Sequence, residues 1–384
     1  PVHNLGKVSD VIEQPEETEN NALGLTWDIK TDQLQPIFHY HLKGTVDGVN
    51  KVHELVGLSN HQVNELIENM VITRTVLAKI TPQSFDIAGP FLGPLKSSLK
   101  IMLSRSCDIT SLAEKDLDLS TRDAKLVADV KSLLKEIAEL KLNPWNRCLI
   151  PGRNKLNKIL VAVDGSTMAS SAMIFLLSQA MDTGHKDCNL AQTSSLISKF
   201  SVPLNESKAA LLGMDTLHNM VEILIRHPDI EPEIINIDVC MDASCLGHLL
   251  LPDIGIRNRV INNIITNIRN QNAAIIKLLP TTTIRFGWTR ATKNPSDLTS
   301  KMFLKPTEII NSSFYRHGPI DYLSMDPYDH IFLEVTQQGE KYSPPPSETG
   351  VVNLSNCSIC SIPQTCLIFL ANVRRIPVSY THLR

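Results

Sequence analysis

Four acids in the second half of the chain, Asp164, Glu206, Asp242 and Asp297, stand where a fold could bring carboxylates together. Asp164 ends the apolar run K-I-L-V-A-V-D-G-S, and Asp242 ends I-I-N-I-D-V-C-M-D (234–242), so each reads as the rim residue of a buried strand. Glu206 opens a helical stretch that runs to Arg226. Asp297 falls in K-N-P-S-D-L-T-S-K (293–301), where Asn294 reads as an N-cap and Pro295 as the first helical residue. Converging carboxylates repel and raise one another's pKa, a cost that divalent cations remove. Two-metal phosphoryl transfer uses such a set, with ions roughly 3.5–4 Å apart. An all-acid donor set suits Mg²⁺. Taken singly, each acid has a plainer reading as a turn residue or a complement to a helix dipole.

The surroundings of Asp297 sharpen the choice. From Ile254 to Lys305 there are nine Lys/Arg residues and one carboxylate, a local balance of +8 in a chain whose net charge is −3. Nucleic-acid binding is therefore argued from this segment and not from the whole. With 384 residues, 42% hydrophobic and 20% charged, the composition is that of a globular protein with two or three cores. The longest apolar runs, such as A-M-I-F-L-L (172–177), are too short to span a bilayer. No secretory signal is recognised at the start, and the absence of an initial Met reads as a fragment or processed piece. Eight scattered cysteines fit a reducing, intracellular setting.

The elements that would carry these acids follow from periodicity. A-L-G-L-T-W-D (22–28) and Q-P-I-F-H-Y-H-L (35–42) are strand-like around a T-D turn. From His61 to Asp108 the pattern is helical, interrupted by S-F-D-I-A-G-P-F-L-G-P. S-T-R-D (120–123) caps a helix whose inner face carries Leu126, Val127, Val130, Leu133, Leu134, Ile137 and Leu140. P-G at 151–152 marks a domain boundary. Beyond it, strands and helices alternate to about residue 305, including a helix from Arg257 that buries Val260, Ile261, Ile264, Ile265 and Ile268, and a strand I-R-F-G-W (284–288). Y-S-P-P-P-S-E-T-G (342–350) reads as linker, and the closing P-V-S-Y-T-H-L-R resembles translated adapter sequence.

In collinear order these segments resemble the Pol polyprotein of Bel/Pao-type LTR retrotransposons, from the end of the reverse transcriptase through the RNase H domain. V-D-G-S at Asp164 is similar to that family's strand ending Asp-Ala-Ser, and V-P-L-N-E-S-K-A-A-L at Glu206 to its P-R-L-E-L-x-A-A-L helix entry. C-M-D-A-S-C-L-G-H-L-L matches the W-x-D-S-like segment, I-R-N-R-V-I-N-N-I the V-x-N-R-V-x-x-I helix, and F-G-W-T-R-A-T-K-N-P-S-D-L-T-S-K the W-R-H-V-P-x-x-x-N-P-A-D-x-x-S-R segment. F-Y-R-H-G-P (314–319) resembles the closing W-W-x-G-P box. Upstream, L-G-L-T-W-D resembles the segment after the polymerase palm, and I-T-R-T-V-L-A-K-I-T-P-Q-S-F-D-I-A-G-P (72–90) resembles the thumb and connection box. The match spans about residues 22–325.

The resemblance implies an α+β chain: a helical thumb/connection region (1–150), an RNase H-like mixed β-sheet with flanking helices (151–325), and a tail (326–384). It implies Mg²⁺-dependent hydrolysis of the RNA strand of RNA/DNA hybrids. Asp164, Glu206, Asp242 and Asp297 would hold two Mg²⁺ ions, for which Mn²⁺ substitutes. Arg257, Arg259, Arg290 and Lys293 would touch the nucleic-acid backbone, which such enzymes read by shape more than by sequence. The implied partners are the hybrid and the rest of Pol (palm and integrase), in a cytoplasmic retroelement particle and without a membrane.

The sequence departs from the pattern at F-G-W-T in place of W-R-H-V, at Asn205 and Ser207, and in having no His between His248 and His317. These departures favour the alternative, a catalytically decayed nucleic-acid-binding or structural connection module; the four retained acids favour the enzyme. Four other motifs have plain readings. M-D-T-G (181–184) reads as a polar turn, C-S-I-C with Cys366 lacks a fourth zinc ligand, H-Y-H (39–41) lacks a third, and Cys240 and Cys245 read as buried small side chains.

Overall fold

The computed structural model describes residues 19–22, 25–46, 49–84, 86, 90–150, 154–180, 182–226, 235–250, 256, 258–318 and 332–334. The first half opens with strands β1 (Glu19–Ala22), β2 (Leu25–Asp28) and β3 (Gln33–Pro36), then a hairpin of β4 (His41–Val46) and β5 (Val49–Glu54). Helices α1 (Asn60–Glu68), α2 (Arg74–Ile80), α3 (Gly93–Ile109) and α4 (Ala124–Ala138) follow, and β6 (Trp145–Asn146) returns to pair with β3. The caps are those the sequence encodes. Ser59 and Gln62 form a reciprocal capping box at α1, and Asp123 accepts from the Leu126 amide at α4. Residues 37–40, expected to continue a strand, break it between β3 and β4.

The second half is built on β7 (Asn154–Gly165), β8 (Ala169–Ala180), β9 (Lys186–Ile197), α5 (Val202–Leu224), β10 (Asn236–Met241), α6 (Ser244–Leu249), α7 (Arg259–Leu278), β11 (Ile284–Trp288), α8 (Asp297–Ser300), α9 (Pro306–Ile310), α10 (Ser313–His317) and β12 (Phe332–Glu334). The sheet order is β12-β11-β10-β7-β8-β9. β7, β8 and β9 form an antiparallel meander, while β10 and β11 run parallel to β7 and each other. This mixed sheet with flanking helices is the α+β architecture expected for this part of the chain.

Both faces of the sheet are buried, which decides its composition. In β8 the side chains alternate: Ala172, Ile174 and Leu176 pack under α5 and α7, while Met173, Phe175 and Leu177 face the other way. An apolar run of this kind signals a strand buried on both faces. The opposite face packs against the first half, because one cluster joins Met173, Phe175 and Leu177 to Leu95 and Leu99 of α3 and to Leu133 and Leu134 of α4. Residues before and after 150 therefore share a core.

The G-P box staples that core. Tyr315 is fully buried and donates its hydroxyl to the Pro90 carbonyl at 2.5 Å. Arg316 lies over the Trp145 ring, 4.4 Å from its centroid, and donates to the carbonyls of Asn143 and Pro144. Val260 departs from expectation: it is 43% exposed, because helical geometry puts it at the edge of the stripe that Ile261, Ile264, Ile265 and Ile268 bury. Tyr315→Phe leaves the buried Pro90 carbonyl without this donor, at a cost of about 1–3 kcal/mol. Denaturant unfolding followed by tryptophan fluorescence and by far-UV dichroism is expected to show one coincident transition shifted to lower midpoint; separate transitions would contradict the shared core.

Candidate metal centre

Register alone sets two of the acids side by side. Cys240 of β10 pairs with Ala162 of β7, and two residues further along these parallel strands come Asp242 and Asp164. Parallel strands put both at one rim of the sheet, about 4.8 Å apart in the hydrogen-bonding direction. Glu206 arrives from α5, which begins at Val202, so this residue lies in the second turn of the helix. The close approach depends on Gly165: a Cβ there would lie 2.2 Å from the Glu206 nitrogen and 2.4 Å from the Asn205 carbonyl carbon. In its place the Gly165 N–H donates to Glu206 Oε2 at 3.1 Å.

Asp164, Glu206 and Asp242 each bring a carboxylate oxygen within 4.8 Å of the others. Asp164 and Glu206 are buried, at 4% and 5% exposure. Burial, countered by the Ser300 hydroxyl, lifts Asp164 to about 6. Burial together with the neighbouring Asp164 and Asp242 lifts Glu206 to about 9. Asp242 is raised too, chiefly by burial. Asp242 Oδ1 is buried with no hydrogen-bond partner. A donor set made only of hard oxygens, pushed toward its protonated form by burial and mutual repulsion and holding an orphaned carboxylate oxygen, fits a divalent cation such as Mg²⁺ or Mn²⁺.

Asp297 is brought to the rim but not into the triad. It stands in the first turn of α8 and pairs with Lys301 one turn on, while its charge helps raise the pKa of all three clustered acids. Ser296, not Asn294, precedes the helix. Asn294 instead is buried, donating to the Val163 carbonyl at 2.9 Å and accepting from the Ser296 amide at 3.2 Å. That locks the loop against the end of β7. Ser300 donates to Asp164 Oδ2, and Ser166 donates to the Ser300 carbonyl at 2.8 Å.

The departures from the family pattern are well accommodated. Asn205 is fully buried; its Nδ2 donates to the carbonyls of Ser166 and Ser198 at 2.7 and 3.0 Å, and its Oδ1 accepts from the Ser198 hydroxyl at 2.5 Å. It ties the turn after β7 to the loop before α5. Ser207 donates to the Pro203 carbonyl at 2.9 Å. In F-G-W-T, Phe286 enters the core and Trp288 donates its indole N–H to the Asp242 carbonyl at 2.8 Å. None of these contacts was legible from residue type, because each depends on which backbone carbonyl happens to face the side chain.

Of the basic residues, Arg259 and Arg290 are exposed and Lys293 is half-buried; Arg257 lies outside the described residues. His317 Nδ1 lies 3.0 Å from the Cys188 carbonyl, near the start of β9 and far along the sheet from Asp164. Lys301, which the sequence reading counted only as part of the basic field, is a cation whose charge acts on Asp164 and Asp242. Its i,i+4 spacing from Asp297 is the signal that would have found it. The other motifs hold no such centre among the described residues. Asp182 and Thr183 turn between β8 and β9 with Gly184 at φ +68°, and Cys240 is buried. His39 and His41 do meet a third group, Glu54, at 3.6 and 3.1 Å, on an exposed surface. Cys357, Cys360 and Cys366 lie outside the described residues, as does the Cys245 side chain.

No family model matches the sequence, and no curated protein does. Among solved structures, the N-terminal RNase H domain of a Mycobacterium tuberculosis protein, fused to maltose-binding protein, overlaps 38% of this chain and 94% of its own, with 10% identity and a TM-score of 0.26. RNase H1 of Halobacterium salinarum overlaps 36% and 91%, with 9% identity and a TM-score of 0.22. Thermus thermophilus RuvC in complex with a Holliday junction substrate overlaps 41% and 92%, with 6% identity and a TM-score of 0.19.

Acids whose pKa rises on folding favour the folded state while protonated. Their contribution is complete below about pH 4 and is lost as the pH climbs through about 6 for Asp164 and about 9 for Glu206. In chelator, the melting temperature is therefore expected to fall between about pH 5 and pH 9. Glu206→Gln should flatten that fall, and Mg²⁺ should offset it in the unaltered protein; thermal melts across pH that superimpose for both proteins would refute the assignment. Gly165→Ala, by pushing α5 off the strand, should weaken Mg²⁺-dependent thermal stabilisation at least tenfold in metal concentration, read by titrating the ion against the melt.

Proposed function

We propose that this chain is a metal-dependent nuclease that hydrolyses the RNA strand of an RNA/DNA hybrid, within a Bel/Pao-type retrotransposon Pol polyprotein. The observation that supports it most is the triad of buried Asp164 and Glu206 with half-buried Asp242 at the shared rim of β7 and β10, with Asp297 beside it. On this reading residues 1–150 are the thumb/connection part, 151–325 the RNase H-like part and 326–384 a tail. The partners are the hybrid and the palm and integrase of the same polyprotein, in a cytoplasmic particle. No helix among the described residues is long and apolar enough to cross a membrane.

Asp164, Glu206 and Asp242 would hold the cations, with Asp297 as a fourth acid. Mg²⁺ held there would supply charge neutralisation, water activation and stabilisation of the leaving oxygen. The chain's own part is orientation. Ser300 and Gly165 each fix one carboxylate by donating to it, and Trp288 fixes the backbone that carries Asp242. Burial keeps bulk water from screening the site. Arg259, Arg290 and Lys293, with Arg257, would hold backbone phosphates, and the cut would leave a 3′-hydroxyl.

One observation favours the alternative, a decayed binding or connection module. Lys301 already pairs with Asp297, and its ammonium is held charged by that carboxylate and by Asp164 and Asp242, against the effect of its burial. A resident cation of this kind competes with a metal. Cleavage of an end-labelled RNA/DNA hybrid separates the two. Mg²⁺- or Mn²⁺-dependent cutting of the RNA strand is expected, reduced at least 10³-fold in Asp164→Asn/Asp242→Asn, a loss of about 4 kcal/mol in transition-state stabilisation. Salt-dependent binding without cutting would decide for the module.

A further inference from the structure

A second charged feature lies outside the acidic cluster. A groove of about 310 Å³ runs between α3 and the edge strand β9, lined by Gly93, Lys96, Lys100, Ser194, Ser195 and Thr299 among others. Lys96 and Lys100 are one helical turn apart on α3, a spacing at which like charges destabilise a helix. Among the described residues neither forms an ion pair with a carboxylate. Lys100 is partly buried, and that burial, with Lys96 beside it, lowers its pKa. Its ammonium donates to the Ser195 carbonyl at 2.9 Å and lies 3.4 Å from the Ser195 hydroxyl, which leaves a third N–H for the groove. Two ammonium groups kept together, with the Ser195 hydroxyl beside that of Lys100, make a site for a tetrahedral oxyanion; the Ser194 and Thr299 hydroxyls are already bonded, to the Thr216 hydroxyl and the Ser296 carbonyl.

Its place in the sheet says which one. Asp164 pairs with Ser171, and Ser171 with Ser195, so Ser195 lies two strands across from the triad, about 10 Å away. Thr299 lines the groove while its neighbour Ser300 donates to Asp164. A nucleic-acid strand carries a phosphate for about every 3.4 Å of duplex axis. A duplex seated on the triad therefore delivers further phosphates within that reach. We propose that the Lys96–Lys100 groove is a phosphate subsite that grips the backbone of the nucleic acid cut at the triad; the identity of this partner rests on the function proposed above.

The test is fluorescence-anisotropy binding of a labelled RNA/DNA hybrid in chelator, so that nothing is cut, across a salt series. Lys96→Gln/Lys100→Gln is expected to lower the slope of log affinity against log salt by about 1 to 2 and to weaken binding about tenfold near 0.1 M salt. Lys96→Arg/Lys100→Arg should keep the slope, and thermal melts report whether each variant is folded. An unchanged slope in the folded Gln variant overturns the subsite, as does a wild-type protein that binds no hybrid. Lysine-dependent binding of inorganic pyrophosphate with an unchanged hybrid slope would assign the groove to a free anion and overturn it too. Metal-dependent cutting by the wild type is read separately: binding with a lysine-dependent slope but no cutting keeps the subsite and removes the nuclease.

Discussion

Three carboxylates pressed together at one edge of a buried sheet repel one another, and much of the second half of this chain is arranged around that repulsion. The parallel pairing of β7 and β10 fixes two of them in register, so Asp164 and Asp242 cannot separate without unpairing the strands. Glu206 is added by a 23-residue helix whose packing on Val161, Val163 and Ala172 is apolar and dense. A repulsion of this kind persists only when the surroundings over-determine it, a pattern typical of functional sites. Apolar burial beneath the site supplies the opposing free energy, and a divalent cation would relieve what remains.

Short polar side chains hold the arrangement in place. Ser166, Asn205, Asn294 and Ser300 each bond a backbone group or a carboxylate at the rim, Ser198 donates to the Asn205 amide oxygen, and none is long enough to swing away. Satisfied networks of this kind rigidify because a buried unpaired group costs more than a paired one gains. Asn205, which from sequence looked like decay of a leucine, closes the gap between two loops. Its amide answers carbonyls that a leucine would leave unpaired.

What the sequence disclosed follows the same physics. Asp164 and Asp242 were legible because an apolar run that stops at an acid marks a strand end, and S-T-R-D announced the start of α4, which Asp123 caps. β8 and β9 were not assigned. In β8 both faces are buried, so the alternation that betrays a half-exposed strand is absent, and the apolar stretch fits a buried helix segment as well. Val260 was misplaced because it lies at the angular edge of the helical stripe, next to Ile261, which is buried. The reading puts a boundary at 151–152, yet a core that joins residues on both sides of it cannot be seen in composition, since it consists of contacts between residues far apart in sequence.

That continuity bears on the site itself. The segment that carries Asp297 and Ser300 rests on α3: Ser97 donates to the Thr299 carbonyl at 2.6 Å, and the Phe303 amide donates to Ser98 at 2.9 Å. Tyr315, from the same C-terminal stretch, closes over Gly93 at the start of that helix, where a Cβ would lie 2.5 Å from its hydroxyl oxygen. The serines at 97 and 98 are fully buried, so these bonds are shielded from water. The donor to Asp164 and the fourth acid are thus seated by the first half of the chain, while the triad belongs to the second. Loosening α3 would release the loop that orients the cluster, which makes the helical half part of the site's support and more than an appended neighbour.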